Sequence, residues 1–540
     1  MKLYLDLDNY DYQPERYKYA VEQMMLTLFP EERPEYPPRE GRTLKGETNA
    51  ARFTLRRSPV WTTVRAQVYR PQGMGQAAVR VGSGQLDRPP EQVYHTLQHA
   101  LKMAFYQAGT ALLGGEPPWG ALTGVRPVKL PTRAMLAGAT EAQACRELER
   151  EYHVSPRRAR LAVECARASL AEDRQLEEGQ VSLYIGIPFC PTRCAYCSFV
   201  SADVGRSLKL IGPFLDALSR EIRATGAALD AAGLRVRTVY FGGGTPTTLS
   251  APQLDRLMGE LAEHIDLSAC TEYTVEAGRP DTITAEKLAV LARRGCGRIS
   301  VNPQSMSDAV LAAMGRAHRA EDILRAYALA RESGIPVVNM DLIAGLPADS
   351  PEGFRASLDR VLELGPENVT VHTLALKKGS RLMDGAPNKG KALVGERTSG
   401  GMSEFSWKQG NEGYKAREDE EDGSAIPSGE AVAAMLDYAW DALRAAGQRP
   451  YYLYRQKYMS GSFENVGWCR PGTESLYNIC MMEELHTIVS LGGGGVTKLV
   501  DRRAGHIRRT ANPKFPKEYI EHIGALCAGK AGALRFDGTE

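Results

Sequence analysis

Residues 181–200, VSLYIGIPFCPTRCAYCSFV, constrain this chain more than any other stretch. The first half alternates β-branched and aromatic residues with small ones, as a strand does. Directly after it come Cys190, Cys194 and Cys197, at the spacing C-x3-C-x2-C. Three soft, deprotonated sulfurs converging from one short turn suit three irons of a [4Fe–4S] cluster, which leaves the fourth iron without a protein ligand. A zinc site ordinarily closes with four ligands, and no second Cys or His pair follows at a suitable distance. A disulfide is the weaker alternative. Cys145, Cys165, Cys270, Cys296, Cys469, Cys480 and Cys527 are scattered singly, the pattern of reduced thiols in a cytosol.

A chain of 540 residues has room for three or four domain equivalents, although one large α/β barrel can take up much of that. Residues 1–172 read as a separate α/β domain of unassigned role. Residues 3–7 and 60–69 alternate like strands. Tyr17, Val21, Met24 and Leu28 share one helical face, and Val93, Leu97, Leu101 and Phe105 share another. The loop-like PPWGALTGVRPVKL, holding Arg126 and Lys129, precedes two further helices. His95 and His99 lie four apart on a helix, but no third metal ligand accompanies them, so solvated helix residues are the simpler reading.

From 173 to 380 the rhythm becomes strand then helix, repeated. Strands are expected over 181–188, 236–242, 272–277, 298–303, 336–343 and 368–374. Helices are expected over 213–232, 252–265, 284–294, 320–333 and 351–364. Six βα units predict an α/β fold with a parallel sheet, and six strands where a closed barrel has eight predict a partial (β/α)6 barrel. Its chemistry should collect at the C-terminal strand ends. There the sequence places the cysteine loop, GGGTPT, Glu276, Gln304, Asp341 and residues 375–378. Residues 381–430 are rich in Gly, Lys, Ser and Glu and read as an insertion or lid. Residues 431–540 are expected to form a C-terminal cap over the barrel mouth.

The net charge of +2 gives no overall pull toward nucleic acid or a membrane surface. No apolar run approaches the ~18 residues of a membrane span. A cytoplasmic protein with no nucleic-acid partner and no membrane span is expected.

GGGTPT could cradle a phosphate, but no Lys-Ser/Thr follows and a Walker reading fails. Glu276 ends an apolar strand, where a carboxylate must accept hydrogen bonds or meet a cation such as Arg279. Gln304, Arg316 and Asp341 pose the same question, and Arg316 could simply pair with Asp341.

Together YIGIPFCPTRCAYCSF, YFGGGTPT, TVEAGRPD, NPQSM with a later GR, and NMDLIAGLP resemble the radical S-adenosylmethionine (SAM) superfamily. Within it they look like the oxygen-independent coproporphyrinogen III oxidase-like, or coproporphyrinogen dehydrogenase, family. The likeness is tight over about 181–380; the N-terminal domain and the ENVG and YNICMMEE segments are most similar to the HemZ-type branch.

The resemblance implies a [4Fe–4S] cluster on Cys190, Cys194 and Cys197, with SAM chelating the open iron. It puts SAM contacts on Tyr184, Tyr196, Gly243, Gly244, Thr245, Glu276, Gln304, Arg316, Asp341 and Ala375, the glycines offering carbonyls to the SAM amino group. It assigns no catalytic side chain. The implied reaction turns two propionates of coproporphyrinogen III into vinyl groups, giving protoporphyrinogen IX in haem synthesis. A deoxyadenosyl radical would remove a hydrogen from each β-carbon, and CO2 and one electron would then leave. A low-potential donor of flavodoxin or ferredoxin type and a tetrapyrrole substrate are the implied partners. The substrate's carboxylates need cations, for which Lys377, Lys378, Arg455 and Lys457 are candidates.

One departure keeps alternatives open. Classical members carry a fourth cysteine where this chain has Phe199, and haem-chaperone relatives also lack it. A chaperone that binds and delivers haem, with His372 as a candidate axial ligand, and radical SAM chemistry on another tetrapyrrole remain as alternatives.

Overall fold

The computed structural model describes residues 1–7, 15–30, 32–37, 46–197, 202–375, 382, 426–456 and 463–534. Phe199, Lys377, Lys378, Lys457 and nearly all of the expected lid lie outside them.

The N-terminal sheet runs β1 (Lys2–Asp6), β2 (Ala50–Arg57), β3 (Trp61–Arg70), β4 (Gly73–Gly82), in that order. β1 and β2 are parallel and the other pairs antiparallel. Alternation in β3 turns Thr62, Val64, Ala66 and Val68 inward. Helices α1 (Glu15–Leu28) and α2 (Pro90–Leu113) bury the two expected apolar faces in the same core. That core nearly ends with α2. Helices α3 (Lys129–Leu136), α4 (Glu141–Tyr152) and α5 (Pro156–Asp173) bring Val128, Leu148, Leu161 and Cys165 into the larger core of the barrel. The expected 1–172 domain therefore divides near residue 114, and its later helices become part of the barrel's outer shell.

The barrel strands are β5 (Gln180–Ile187), β8 (Arg235–Gly243), β9 (Glu272–Glu276), β10 (Arg298–Ser300), β11 (Val337–Ala344) and β12 (Asn368–Thr373), all parallel and in sequential order. The short pair β6 (Phe189–Cys190) and β7 (Ala202–Asp203) brackets the cysteine loop. The crossovers carry α6 (Val204–Ala232), α7 (Ala251–His264), α8 (Ala285–Arg293), α9 (Asp308–Ala313), α10 (Ala320–Glu332) and α11 (Pro351–Leu364). Ser250, Thr284 and Ser350 cap their helices by accepting from backbone N–H groups that have no partner within the first turn. Pro213, read as a helix start, lies inside α6.

The C-terminal segment is not a cap. After α12 (Gly429–Ala445), strands β13 (Arg449–Arg455) and β14 (Glu464–Cys469) extend the sheet antiparallel beyond β12. Helix α13 (Leu476–Glu483) leads to β15 (Ile488–Gly492), which lies parallel to β5, followed by β16 (Val496–Asp501), β17 (His506–Ala511) and α14 (Pro516–Ala533). Among the described residues the result is one eleven-stranded sheet. A partial barrel has two open edges of unpaired backbone, and these strands satisfy both. YYLYR thus becomes β13. Gly467 on β14 makes room for Tyr452, since a Cβ there would lie 1.9 Å from that ring.

The β15 edge is fixed by Glu221 of α6, which is fully buried. It accepts from Gly492 N at 2.7 Å, Tyr519 Oη at 2.5 Å, Asn512 Nδ2 at 2.9 Å and Lys530 Nζ at 2.8 Å. Glu221→Ala leaves the Lys530 ammonium buried without its counter-charge and should lower unfolding free energy by about 3–5 kcal/mol in denaturant titration. A loss under ~1 kcal/mol would mean that this carboxylate does not hold the C-terminal strands.

Candidate active site at the barrel mouth

The outward residues of the strands, such as Leu183, Ile185, Val239, Val275, Ile299, Met340 and Val371, pack with the helices in the main core. The alternate residues face inward and are largely polar. At the N-terminal strand ends much of this polarity is satisfied, although Arg298 Nε and His486 Nδ1 are buried without a partner among the described residues. Glu272 accepts from Ser475 Oγ at 3.0 Å and from the N–H groups of Leu476 and Tyr477 at 2.6 and 3.3 Å, capping α13. Arg298 donates to the carbonyls of Thr473 and Glu474. One level higher, Ser182 meets Thr238 at 2.6 Å and His486 at 2.7 Å.

At the C-terminal ends the groups are not all paired. Glu276 accepts from Tyr240 Oη at 2.5 Å. Burial, with Asp341 nearby, pushes its carboxyl up to about 7. Beneath it the Tyr240 and Tyr477 rings stack at 4.3 Å, and Tyr184 and Tyr240 at 6.2 Å. Asp341 accepts from Asn339 Nδ2 at 2.7 Å, with His372 Nε2 3.6 Å away. Neither carboxylate meets the arginine that the sequence suggested. Arg316 donates to Tyr196 Oη at 2.9 Å and to the carbonyl of Asn302 at 3.1 Å, while Arg279 pairs with Asp281. Among the described residues no ion pair joins Arg316 to Asp341.

The cysteine loop leaves β5 across this mouth. Cys194 is buried, Cys190 and Cys197 are partly exposed, and none of the three is in a disulfide. Thr245 Oγ1 lies 3.5 Å from Cys190 Sγ. The GGGTPT turn packs against the loop so closely that a Cβ on Gly244 would lie 2.5 Å from the Phe189 carbonyl oxygen. Its donors are engaged there, Gly244 N–H with Ile187 O at 2.8 Å and Thr245 N–H with Phe189 O at 2.7 Å. The turn is left with carbonyl oxygens to offer a ligand, which suits an ammonium group and not a phosphate.

Gln304 adopts φ 67°, a left-handed conformation uncommon for a residue other than glycine. Bonds from its N–H to Asp341 O at 2.8 Å and from Ile343 N–H to its carbonyl at 3.0 Å hold it against β11. Ala375 lies two residues past β12, beside Leu374, whose small cluster includes Tyr196. Of the thirteen residues singled out from the sequence, ten sit on the cysteine loop or at C-terminal strand ends and the turns that follow them; Tyr184 and Asp341 lie within β5 and β11, and Arg316 follows α9. Arg455 does not join them as a carboxylate clamp. It is buried over the Trp119 ring at 5.2 Å and donates to the Leu122 carbonyl, with burial lowering its pKa to about 10. His99 stacks edge-on against Tyr152 at 5.4 Å.

Tyr240 and Tyr477 escaped the sequence reading. Tyr240 could have been found from strand alternation, being two residues before Gly242. Tyr477 reaches the barrel interior only because α13 brings it against Tyr184 and Tyr240, which no local pattern announces.

A family model, the Radical SAM superfamily, matches residues 184–361. The chain is a radical SAM protein, of the class that works with a [4Fe–4S] cluster and SAM. Over 440 residues it is 38% identical to the oxygen-independent coproporphyrinogen-III oxidase-like protein HemZ of Bacillus subtilis (strain 168), covering 81% of each chain. It belongs to that family. It is also 34% identical to the haem chaperone HemW of Escherichia coli (strain K12), over 63% of this chain and 76% of the relative. The oxygen-independent coproporphyrinogen III oxidase of the same organism is 36% identical over 37% of this chain and 42% of the relative.

The mouth suits such cofactors. Three thiols supply soft ligands, and Asn302 Oδ1 and Arg316 Nε are buried there without a partner among the described residues.

The Glu276 shift has a measurable consequence. Between about pH 4.5 and 7 the folded chain keeps a proton that the unfolded chain has lost, so this group makes stability fall as pH rises through that window. Glu276→Gln removes the effect. Without cofactors, the variant should match the parent at pH 4.5 and exceed it by on the order of 2 kcal/mol at pH 8 in chemical denaturation. A constant difference across this range would contradict the raised carboxyl.

Proposed function

We propose that the chain is an oxygen-independent coproporphyrinogen III dehydrogenase, which converts two propionates to vinyl groups and yields protoporphyrinogen IX. When bound, the reduced cluster with SAM supplies a 5′-deoxyadenosyl radical able to remove hydrogen from an unactivated carbon. Cys190, Cys194 and Cys197 would hold the cluster. The carbonyls of Gly243 and Gly244 would take the SAM ammonium group, and Arg316, aided by Gln304, its carboxylate. Glu276 and Asp341 would accept from ribose hydroxyls. Tyr184, Tyr196, Thr245 and Ala375 would complete the contact surface. The stacked tyrosines below Glu276 close the barrel floor and exclude water, so that the radical meets substrate and not solvent.

The observation carrying this reading is the pair of carboxylates at the mouth, Glu276 and Asp341, which have no arginine partner among the described residues and stand ready for a hydroxyl-bearing ligand. A low-potential flavodoxin or ferredoxin is the donor we propose, and the cytoplasm the location. Among the described residues no helix is long and apolar enough to cross a membrane.

The second reading is a haem chaperone, favoured by Phe199 and the HemW likeness. Against it, His372 faces Asp341 across 3.6 Å inside the barrel, an engagement that competes with axial ligation of haem.

After anaerobic reconstitution, Cys190→Ala, Cys194→Ala and Cys197→Ala should each lose the brown chromophore and form 5′-deoxyadenosine only at background. Full iron and sulfide content in any of them would remove that cysteine from the ligand set. With SAM, a reductant and coproporphyrinogen III, the parent should form deoxyadenosine at a rate that rises with substrate, and vinyl-bearing porphyrinogen in step with it. Stoichiometric haem binding, with SAM cleavage indifferent to porphyrinogen, would replace the dehydrogenase by the chaperone.

A further inference from the structure

Arg279, in the EAGRPD turn after β9, is 3% exposed. Its Nε donates to Asp281 Oδ1 at 3.0 Å and its Nη2 to Asp281 Oδ2 at 3.1 Å, a fork-to-fork pair. Because the guanidinium is planar, that pairing fixes its orientation and turns Nη1 the other way. Nη1 meets the cysteine loop. It lies 3.0 Å from Thr192 Oγ1, 3.4 Å from the Thr192 carbonyl and 3.8 Å from Cys194 Sγ.

Cys194 is the one buried thiol of the three, and a second buried guanidinium, that of Arg316, reaches the same loop through Tyr196 Oη and is favoured in its charged form by Cys194 nearby. His318, whose charge both arginines oppose, is 3% exposed, with neither ring nitrogen partnered among the described residues. Burial lowers its pKa to about 4, so it adds no third charge. The Cys194 sulfur is therefore the focus of two buried cations, whereas Cys190 has the Thr245 hydroxyl beside it.

We propose, resting on the assignment of the cluster to these cysteines, that Arg279 is a positioning residue for it. Locked by Asp281, it fastens the loop through Thr192 and raises the cluster's reduction potential through an N–H···S contact to Cys194. Reduction adds an electron to an already anionic cluster. A buried cation and a hydrogen bond to the ligating sulfur favour the reduced form, more strongly in a low-dielectric site than in water. A donor of given potential would then reduce a larger fraction of the chains. An arginine that only braced the loop would leave the potential unchanged.

The test is an EPR-monitored redox titration of the reconstituted full chain, with iron and sulfide content measured on the same samples. Iron-free parent protein after reconstitution would sink the cluster assignment itself, before any variant is made. Given a loaded parent, Arg279→Gln should keep its cluster but show a tenfold lower ratio of reduced to oxidised cluster at the parent's midpoint. That is a shift of about 59 mV for one electron. Arg279→Lys keeps the charge without the fork and should fall between the two. Thr192→Val removes only one acceptor and should titrate as the parent does. A fully loaded Arg279→Gln at the parent's potential overturns the proposal, as does a Thr192→Val shift equal to that of Arg279→Gln. If neither Arg279 variant holds a cluster while both melt as the apo parent does, the fastening role stands and the potential-setting role is overturned.

Discussion

The structure depends on how a buried polar surface inside a barrel is satisfied. Each strand turns an apolar row outward, against helices, and a polar row inward, where water has little access. An inward polar group without a partner costs on the order of 1–3 kcal/mol. At the N-terminal ends the chain meets much of that requirement internally, with Glu272 receiving the first N–H groups of α13 and Arg298 bonding the carbonyls just before it, though Arg298 Nε itself is left without a partner among the described residues. At the C-terminal ends it does not. Asn302 and Arg316 keep unpartnered atoms there, beside the raised Glu276 carboxyl and the three thiols, and that concentration of reactive and ligating groups makes this end the site.

The mouth is also divided by charge. Arg279 and Arg316 bond to the cysteine loop, while Glu276 and Asp341 influence each other and, among the described residues, form no ion pair with either arginine. A salt bridge between the halves would have neutralised the site. Local pairing prevents it, since Asp281 engages Arg279, Tyr196 and Asn302 engage Arg316, and Asn339 engages Asp341. A zwitterionic ligand such as the proposed SAM, with a carboxylate, an ammonium and ribose hydroxyls, matches this division better than an ion of one sign would.

The open edges explain the far end of the chain. A partial barrel leaves backbone N–H and C=O groups unpaired on β5 and β12, and the C-terminal segment returns to both, with Glu221 anchoring one side. The same return carries α13 and Tyr477 into the barrel, so closing the edges and building the floor are one event. Helix α5 is drawn into the main core for a related reason, because β13 lies beyond the last crossover helix and needs apolar cover.

The sequence by itself determined the parallel strands, the helices between them and the placement of the cysteines and Glu276 at strand ends, while Asp341 falls inside β11 and Gln304 four residues past β10. Each of these follows from short-range periodicity, and a βα unit has little freedom in how it joins the next. The likeness to known radical SAM motifs could be drawn from the same stretches. Only tertiary structure decided that the expected cap is two sheet edges and that helices 129–173 belong to the barrel. It alone decided that Arg455 lies buried over Trp119, and that Arg279 addresses Cys194 and not Glu276. These outcomes turn on which distant segment reaches an unpaired edge or an unpaired charge first in space. Pairing of that kind couples residues such as Glu272 and Leu476, or Glu221 and Lys530, across long loops, and leaves no periodic mark on either partner.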